Sequence, residues 1–556
     1  MRSTPVCLAV AVCCLCTALP AALAQPQLRS TNPVANSASY MPPGMPSSGI
    51  AQGSIFSVFG TGLGPTAWTE PSGFPLQTTL GNTSINVTVG GTTKQALILG
   101  VNQYQINAIM PSSIPAGTGS LTVTSNGQTS AAASVQVVSA AFGTFTYGAT
   151  GVGQAIATYA DYSINTIIHT FHPGDVGIIW GTGLGPINGS DAEVPPTGNL
   201  AGSVQVYVGN TAAQVTYHGR SGCCAGLDQV VFTVPQGVEG CYVPLSVQTS
   251  AGTSNFTTIA VSQSGNTCSD SIMGQDLITK LASGQTVTFG YVLLEDTFLK
   301  FVAGSTTASN LDLASGSFSQ FTPATAGLAE YGVSSGYCAA VACPGFACAV
   351  NSPFGLQDLS LGGLDAGSSL NAAWGNFVVQ MQTPFTGSGL YFAVLSLGSR
   401  YLWSQEPYDV SGPGGASVGN FSVTEETGNA STFITNLQPT QNIPRGSDFT
   451  VTWTGADPAR DNGQVIVAGY SANNGNYDLL SYFQCTAPGS AGQFTIPARM
   501  LSMLPASGTG QNGNVTFPLG WIWAGQLNNP TTFQATGLDK GIVTDAFYNG
   551  YGVYFQ

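Results

Sequence analysis

Gly60-Thr61-Gly62-Leu63-Gly64-Pro65 occurs twice in this chain, returning unchanged as Gly181-Thr182-Gly183-Leu184-Gly185-Pro186. Each copy follows an apolar β-type run, Ile55-Phe56-Ser57-Val58-Phe59 or Val176-Gly177-Ile178-Ile179-Trp180, so each reads as a strand entering a glycine-rich bend. The likeness continues downstream. Ile85-Asn86-Val87-Thr88-Val89-Gly90 aligns with Val204-Gln205-Val206-Tyr207-Val208-Gly209, and Gln105-Ile106-Asn107-Ala108-Ile109-Met110-Pro111 with Gln229-Val230-Val231-Phe232-Thr233-Val234-Pro235. The offsets from Gly60 to Gly181, Ile85 to Val204 and Gln105 to Gln229 are 121, 119 and 124 residues, as two copies of one fold with unequal loops require.

Residues 1–24 read as a secretory signal: Arg2, an apolar stretch from Val6 to Leu19, then Ala22-Leu23-Ala24 before Gln25. Pro20 ends the apolar stretch short of the roughly 20 residues that span a bilayer, and no later segment approaches that length, so no transmembrane segment is expected. Charged residues are 6% of the chain against about a quarter in ordinary domains, while 72 glycines and abundant Thr, Ser, Asn and Val supply strand and turn material. Without Arg2 the chain carries 25 acids and ten scattered bases, a formal charge of −15, which argues against a nucleic-acid partner.

Four of the twelve cysteines leave with the signal, and an even eight remain: Cys223, Cys224, Cys241, Cys268, Cys338, Cys343, Cys348 and Cys485. Adjacent Cys223-Cys224 and the five-residue steps among Cys338, Cys343 and Cys348 do not fit zinc-ligand spacing, so disulfides are favoured. Proximity suggests two bridges within the first four and two within the last four.

The expected organisation is a signal at 1–24, a lead-in segment at 25–48, module 1 at 49–138, module 2 at 139–262, a β-rich domain with a Cys-rich loop at 263–431, and a β-sandwich with an aromatic tail at 432–556. Six or seven short strands per roughly 100 residues suit antiparallel sandwiches, and the fold class is all-β. The order of the glycine bend, the Val-x-Val-Gly-Gly strand, Gln-Ile-Asn-x-x-x-Pro and a Thr-Val-Thr-Ser-x-Gly strand resembles the immunoglobulin-like TIG (IPT) modules, in the paired form of secreted proteins from soil bacteria. The segment from Gly222-Cys223-Cys224 to Gly240-Cys241-Tyr242-Val243-Pro244 resembles a variant second repeat of that group. The resemblance covers about residues 45–262 and implies an Ig-like fold and an extracellular setting, with no catalytic residue carried over. In the last segment, Asp448 to Gly455 alternates so as to bury Phe449, Val451 and Trp453 on one face. The segment around Trp453 and the run after Cys485 are also similar to the C-terminal regions of such secreted proteins, which implies a fold only.

Patterns that suggest chemistry dissolve in context. Gly415-Ala416-Ser417-Val418-Gly419 matches Gly-x-Ser-x-Gly, but no helical pattern follows, and His169, His172 and His218 all precede it, whereas a hydrolase of that type places its histidine last. His169-x-x-His172 near Asp161 and Asp175 would need a bend to share a metal, and Pro173 marks a turn. The glycine bends lack the Lys-Ser/Thr and helix of a phosphate loop. The clusters from Asp457 to Gly463 and from Asn473 to Asp478 read as Asx turns, with calcium as the rival. Glu295-Asp296 and Glu425-Glu426 are sequence neighbours that a strand would point opposite ways. No catalytic residue, metal or cofactor is expected.

Aromatics supply the binding candidate: Trp521 and Trp523, two indoles on one strand face, with Tyr551 and Tyr554 in the aromatic tail, a surface for sugar rings or a protein partner. The expectation is a secreted, non-enzymatic interaction or cell-surface protein of adhesion type, with a polysaccharide or cell-surface protein as ligand. Its rivals are a carbohydrate-active enzyme or carbohydrate-binding protein, and an envelope-layer subunit joined through sheet edges or the aromatic tail.

Overall fold

The computed structural model describes residues 25–200, 202–301, 309–329, 332–343, 363–384, 387–397, 406–426, 432–476, 478–512 and 515–556. The chain is all-β, about 50% strand and 5% helix. The expected signal, residues 1–24, lies outside the described residues.

Module 1 is a sandwich built on β1 (Ile55–Thr61), β2 (Thr83–Val89), β3 (Leu97–Val101), β4 (Gln105–Ile109), β5 (Gly117–Ser125) and β6 (Ala133–Val138). One sheet contains β1, β4 and β3, the other β6, β5 and β2. The sequence alternation becomes the core directly: Thr83, Ile85, Val87 and Val89 are buried, and the residues between them are half-exposed. Module 2 repeats the plan with β7 (Val176–Thr182), β8 (Val204–Val208), β9 (Thr211–Arg220), β10 (Asp228–Thr233), β11 (Gly240–Thr249) and β12 (Thr257–Val261). β7 pairs with β10 as β1 pairs with β4, and β8 with β11 as β2 with β5. The copies differ in one strand. In module 1 Thr92–Gln95 pairs with β2 and β3 pairs with β4 as separate strands, whereas β9 stays continuous through a bulge between Val215 and Tyr217 and joins its two sheets.

Both glycine bends seat a leucine, Leu63 or Leu184, in the core of their module. At Gly183, φ is +109° and a Cβ would run into the Ala141 carbonyl, so the bend needs glycine there. The second bend is held further. Its Gly183 and Leu184 amides donate to Asp228 Oδ2 at 2.7 and 2.8 Å, and the Arg220 guanidinium pairs with Asp228 Oδ1. Arg220 Nη2 also donates to the carbonyls of Gly185 and of Gly53 in module 1, each at 2.7 Å, so this fully buried pair joins the modules.

After α1 (Gln275–Ala282) come β13 (Val287–Lys300), β14 (Ser309–Phe321), β15 (Cys338–Cys343), β16 (Ser369–Trp374), β17 (Phe377–Gln382), β18 (Leu390–Leu397), β19 (Pro407–Gly412), β20 (Phe421–Glu426), β21 (Phe449–Thr454), β22 (Gln464–Ala472), β23 (Leu480–Pro488), β24 (Gln493–Ile496), β25 (Gly520–Leu527) and β26 (Lys540–Phe555). One sheet runs in the order β15-β23-β22-β25-β26-β13-β14-β18-β17-β16-β19-β20. Residues 263–431 and 432–556, expected as separate units, share this sheet, because β26 pairs in parallel with β13 from Phe289↔Lys540 to Lys300↔Tyr551. β21 and β24 form a small sheet whose Val451, Trp453 and Ile496 pack on Val467, Phe483, Ile522 and Phe555; Phe449, expected on the same buried face, packs partly exposed at its edge.

Residues 25–48 are more than a lead-in. Val34–Asn36 pairs with β1, and Met41 and Met45 enter the core under β21. Their lack of periodicity reflects a strap that changes partners every few residues.

Three disulfides join described residues: Cys223–Cys224, Cys241–Cys268 and Cys338–Cys485, the last between directly opposed residues of β15 and β23. All fall within the two expected groups. Cys348 and the side chain of Cys343 lie outside the described residues.

Candidate binding face

The register of β22, β23, β25 and β26 decides which aromatics share a face. Tyr482 opposes Tyr470, Tyr470 opposes Trp521, Trp521 opposes Gly552 and Trp523 opposes Gly550. Directly opposed residues point the same way. Tyr470, Tyr482, Trp521, Trp523 and Tyr554 therefore lie on one side of the sheet. Tyr551 is opposite Ile522 and points to the other side, against the core beneath β21. Of the four expected surface aromatics, Trp521 is buried and Tyr551 is on the wrong face, so both are removed from the candidate surface. Trp523 and Tyr554 are half-buried on the outer side.

A row of rings crosses this side. Phe301 stands 5.2 Å from Trp521, Trp521 4.3 Å from Tyr470, and Trp523 6.3 Å from Tyr470 and 6.0 Å from Tyr482. The glycines of β26 keep the floor flat: a Cβ at Gly552 would meet Phe301 at 2.8 Å, and one at Gly550 would meet Trp523 at 2.7 Å. Tyr470, Tyr482 and the two tryptophans come from three strands. The two tyrosines were invisible as site residues because isolated tyrosines in separate runs carry no local signal.

Polar groups flank the rings. Tyr482 donates its hydroxyl to Gln484 Oε1 at 3.3 Å, and Glu295 opposes Ala546 beside the patch of Trp523, Tyr482 and Tyr548. Burial pushes the Glu295 carboxyl up to about 7, and burial together with that nearby acid holds the Tyr482 hydroxyl above its usual range. Next to the rings a cleft of about 710 Å³ opens between the sheet and module 2. Gln464, Gln484 and Thr486 line the sheet side, Glu239, Tyr242 and Asp270 the other. Such a face offers rings for stacking, and amides that both donate and accept.

The remaining candidates are local structure. His172 Nδ1 is 3.2 Å from Asp175 in its own turn and its Nε2 2.8 Å from the Gly265 carbonyl of the loop after β12, while His169 Nδ1 is 3.1 Å from the Ile164 carbonyl, so both rings tie backbone segments together. Among the described residues no three His, Cys, Asp or Glu side chains converge to hold a metal ion. Ser417 lies exposed in the loop between β19 and β20, held by its amide to the Asp365 carbonyl. The Asx clusters close their own turns, as when Asn474 Nδ2 donates to Asp478 at 2.8 Å. Asp296 opposes Asp312 and Glu295 opposes Leu313, on opposite faces of β13. Glu425 is fully buried and Glu426 exposed. Burial, reinforced by Asp545, pushes the Glu425 carboxyl up to about 8, so it holds its proton near neutrality.

No protein-family model matches the chain, and no curated protein does. Among solved structures, the chain is similar to SGBP-B of the Bacteroides ovatus mixed-linkage glucan utilization locus, in complex with a mixed-linkage heptasaccharide, at 12% identity and a TM-score of 0.13, over 90% of this chain and 95% of that one. It is also similar to SGBP-B from a complex xyloglucan utilization locus in Bacteroides uniformis, at 10% identity and a TM-score of 0.16, over 94% and 98%. Domains 4–9 of the surface layer protein SbsC match at 11% identity and a TM-score of 0.16, over 95% and 65%.

Proposed function

We propose that this is a secreted, non-enzymatic interaction protein of the cell exterior that binds a polysaccharide through the outer face of its C-terminal sheet. The observation that carries the reading is the partly exposed row Tyr470, Trp523 and Tyr482 beside Gln484 and the cleft. Sugar rings present flat apolar faces and hydroxyl edges, which suit rings on a flat floor with amides at the side. Two tandem sandwiches held by a buried ion pair give this face a rigid support.

The test is binding of the purified protein to a panel of polysaccharides and to whole cells, with the products analysed for cleavage. Saturable binding without turnover, weakened about tenfold or more by Trp523→Ala, supports the reading. Hydrolysis abolished by one carboxylate substitution would replace it with a carbohydrate-active enzyme, and self-assembly without polysaccharide binding with an envelope-layer subunit.

A further inference from the structure

The three disulfides among the described residues differ in what they close and in what can reach them. Cys241–Cys268 and Cys338–Cys485 span 27 and 147 residues, and their cysteines are buried, between 0% and 4% exposed. Cys223–Cys224 joins sequence neighbours, and both cysteines are exposed. A bridge between neighbours closes no loop and so removes no chain entropy from the unfolded state; what it fixes is the shape of its own turn.

That turn is a junction. It is the loop between Arg220, last in β9, and Asp228, first in β10, the buried pair whose guanidinium reaches the Gly53 carbonyl of module 1. Ala225 is buried with Leu76 and Ile109 of module 1, and Gly226, at φ +74°, passes so close that a Cβ would meet Ile55 at 2.7 Å. The Gly226 carbonyl accepts from Thr182 Oγ1 at 2.7 Å, and Thr182 Oγ1 accepts from the Ile55 amide at 2.8 Å. Cys224 is tied into the same turn, its carbonyl accepting from the Leu227 amide at 3.3 Å.

We propose that Cys223–Cys224 is a reversible thiol–disulfide exchange site whose state sets how firmly the two modules are joined, with a small dithiol as co-reactant. One thiolate of the dithiol attacks Cys224 Sγ, the S–S bond breaks, and Cys223 Sγ leaves with the electron pair and takes up a proton, the Ser221 hydroxyl standing 3.6 Å away. The second thiol of the reagent then displaces Cys224 Sγ, so the chain gains two thiols and the dithiol becomes a cyclic disulfide. Exposure decides which bridge reacts, because attack needs access to a sulfur. The site is separate from the sheet face and does not depend on polysaccharide binding there.

Dithiothreitol added to the native protein, with thiols alkylated at intervals and located by peptide mass, tests the site. Cys223 and Cys224 should be labelled about tenfold or more faster than Cys241, Cys268, Cys338 and Cys485. Hydrogen exchange at the Ile55 amide should quicken about tenfold in the reduced protein and slow again on reoxidation. In the double variant Cys223→Ser, Cys224→Ser that amide should already exchange fast, and dithiothreitol should add nothing. The proposal is overturned if the buried bridges open as readily, if Cys223 and Cys224 are labelled only on unfolding, or if reduction leaves Ile55 exchange unaltered. A double variant that exchanges like the oxidised protein, or that dithiothreitol still accelerates, overturns it as well.

Discussion

Glu425 and Arg220 show two ways of burying charge. Glu425 is fully buried beside Asp545, and its carboxyl is raised from near 4.5 to about 8, so the folded chain binds that proton more tightly than the unfolded chain. Its contribution is complete below about pH 4.5 and is lost as pH rises to about 8; Glu295, raised to about 7, acts in the same direction. Thermal melts should therefore show stability falling from pH 5 to pH 8, and Glu425→Gln should remove a part of that fall on the order of 3 kcal/mol. Arg220 instead is buried against a partner, its guanidinium on Asp228 Oδ1. Arg220→Ala leaves Asp228 buried without its cation and should cost about 3–5 kcal/mol in denaturant unfolding, while an exposed substitution such as Lys94→Ala should cost under about 0.5. Neither site was legible in the sequence: Glu425 and Asp545 are 120 residues apart, and nothing near Arg220 marks it as buried.

Among the elements, the glycine bends, their strands and the doubled modules were readable because strand alternation and turn chemistry are local. β26 was misread for the converse reason. Its aromatic density is the same whether the strand edges a sheet or lies at its middle, and only pairing with β13, some 250 residues earlier, decides. It lies in the interior of the sheet, so the expected role of this tail in self-assembly is withdrawn. The Cys338–Cys485 bridge closes a separation of 147 residues across adjacent strands. Replacing both cysteines by serine should lower stability by about 2–5 kcal/mol. Thiol counting on the denatured, unreduced protein should find no free thiol, which tests Cys343 and Cys348 at the same time.

Across the whole molecule, the sheet that joins residues 287–300 to 540–555 predicts that the C-terminal half unfolds as one cooperative body. A fragment of residues 432–556 should show no cooperative thermal transition, since β26 would lose its parallel neighbour and Met41 and Met45 would be missing from its core. A fragment that folds like the intact chain would disprove this.

The parallel pairing of β13 with β26 also sets an order of events in time. β13 leaves the ribosome long before its neighbour exists, so its edge stays open until residues 540–551 have followed. Modules 1 and 2 can close behind the leading end as they emerge, but the second half must wait. Through that interval a long apolar strand edge is exposed to other chains. For this protein the hazardous stage is the interval between the synthesis of β13 and that of β26, and a chaperone that occupies β13 through it should raise the yield.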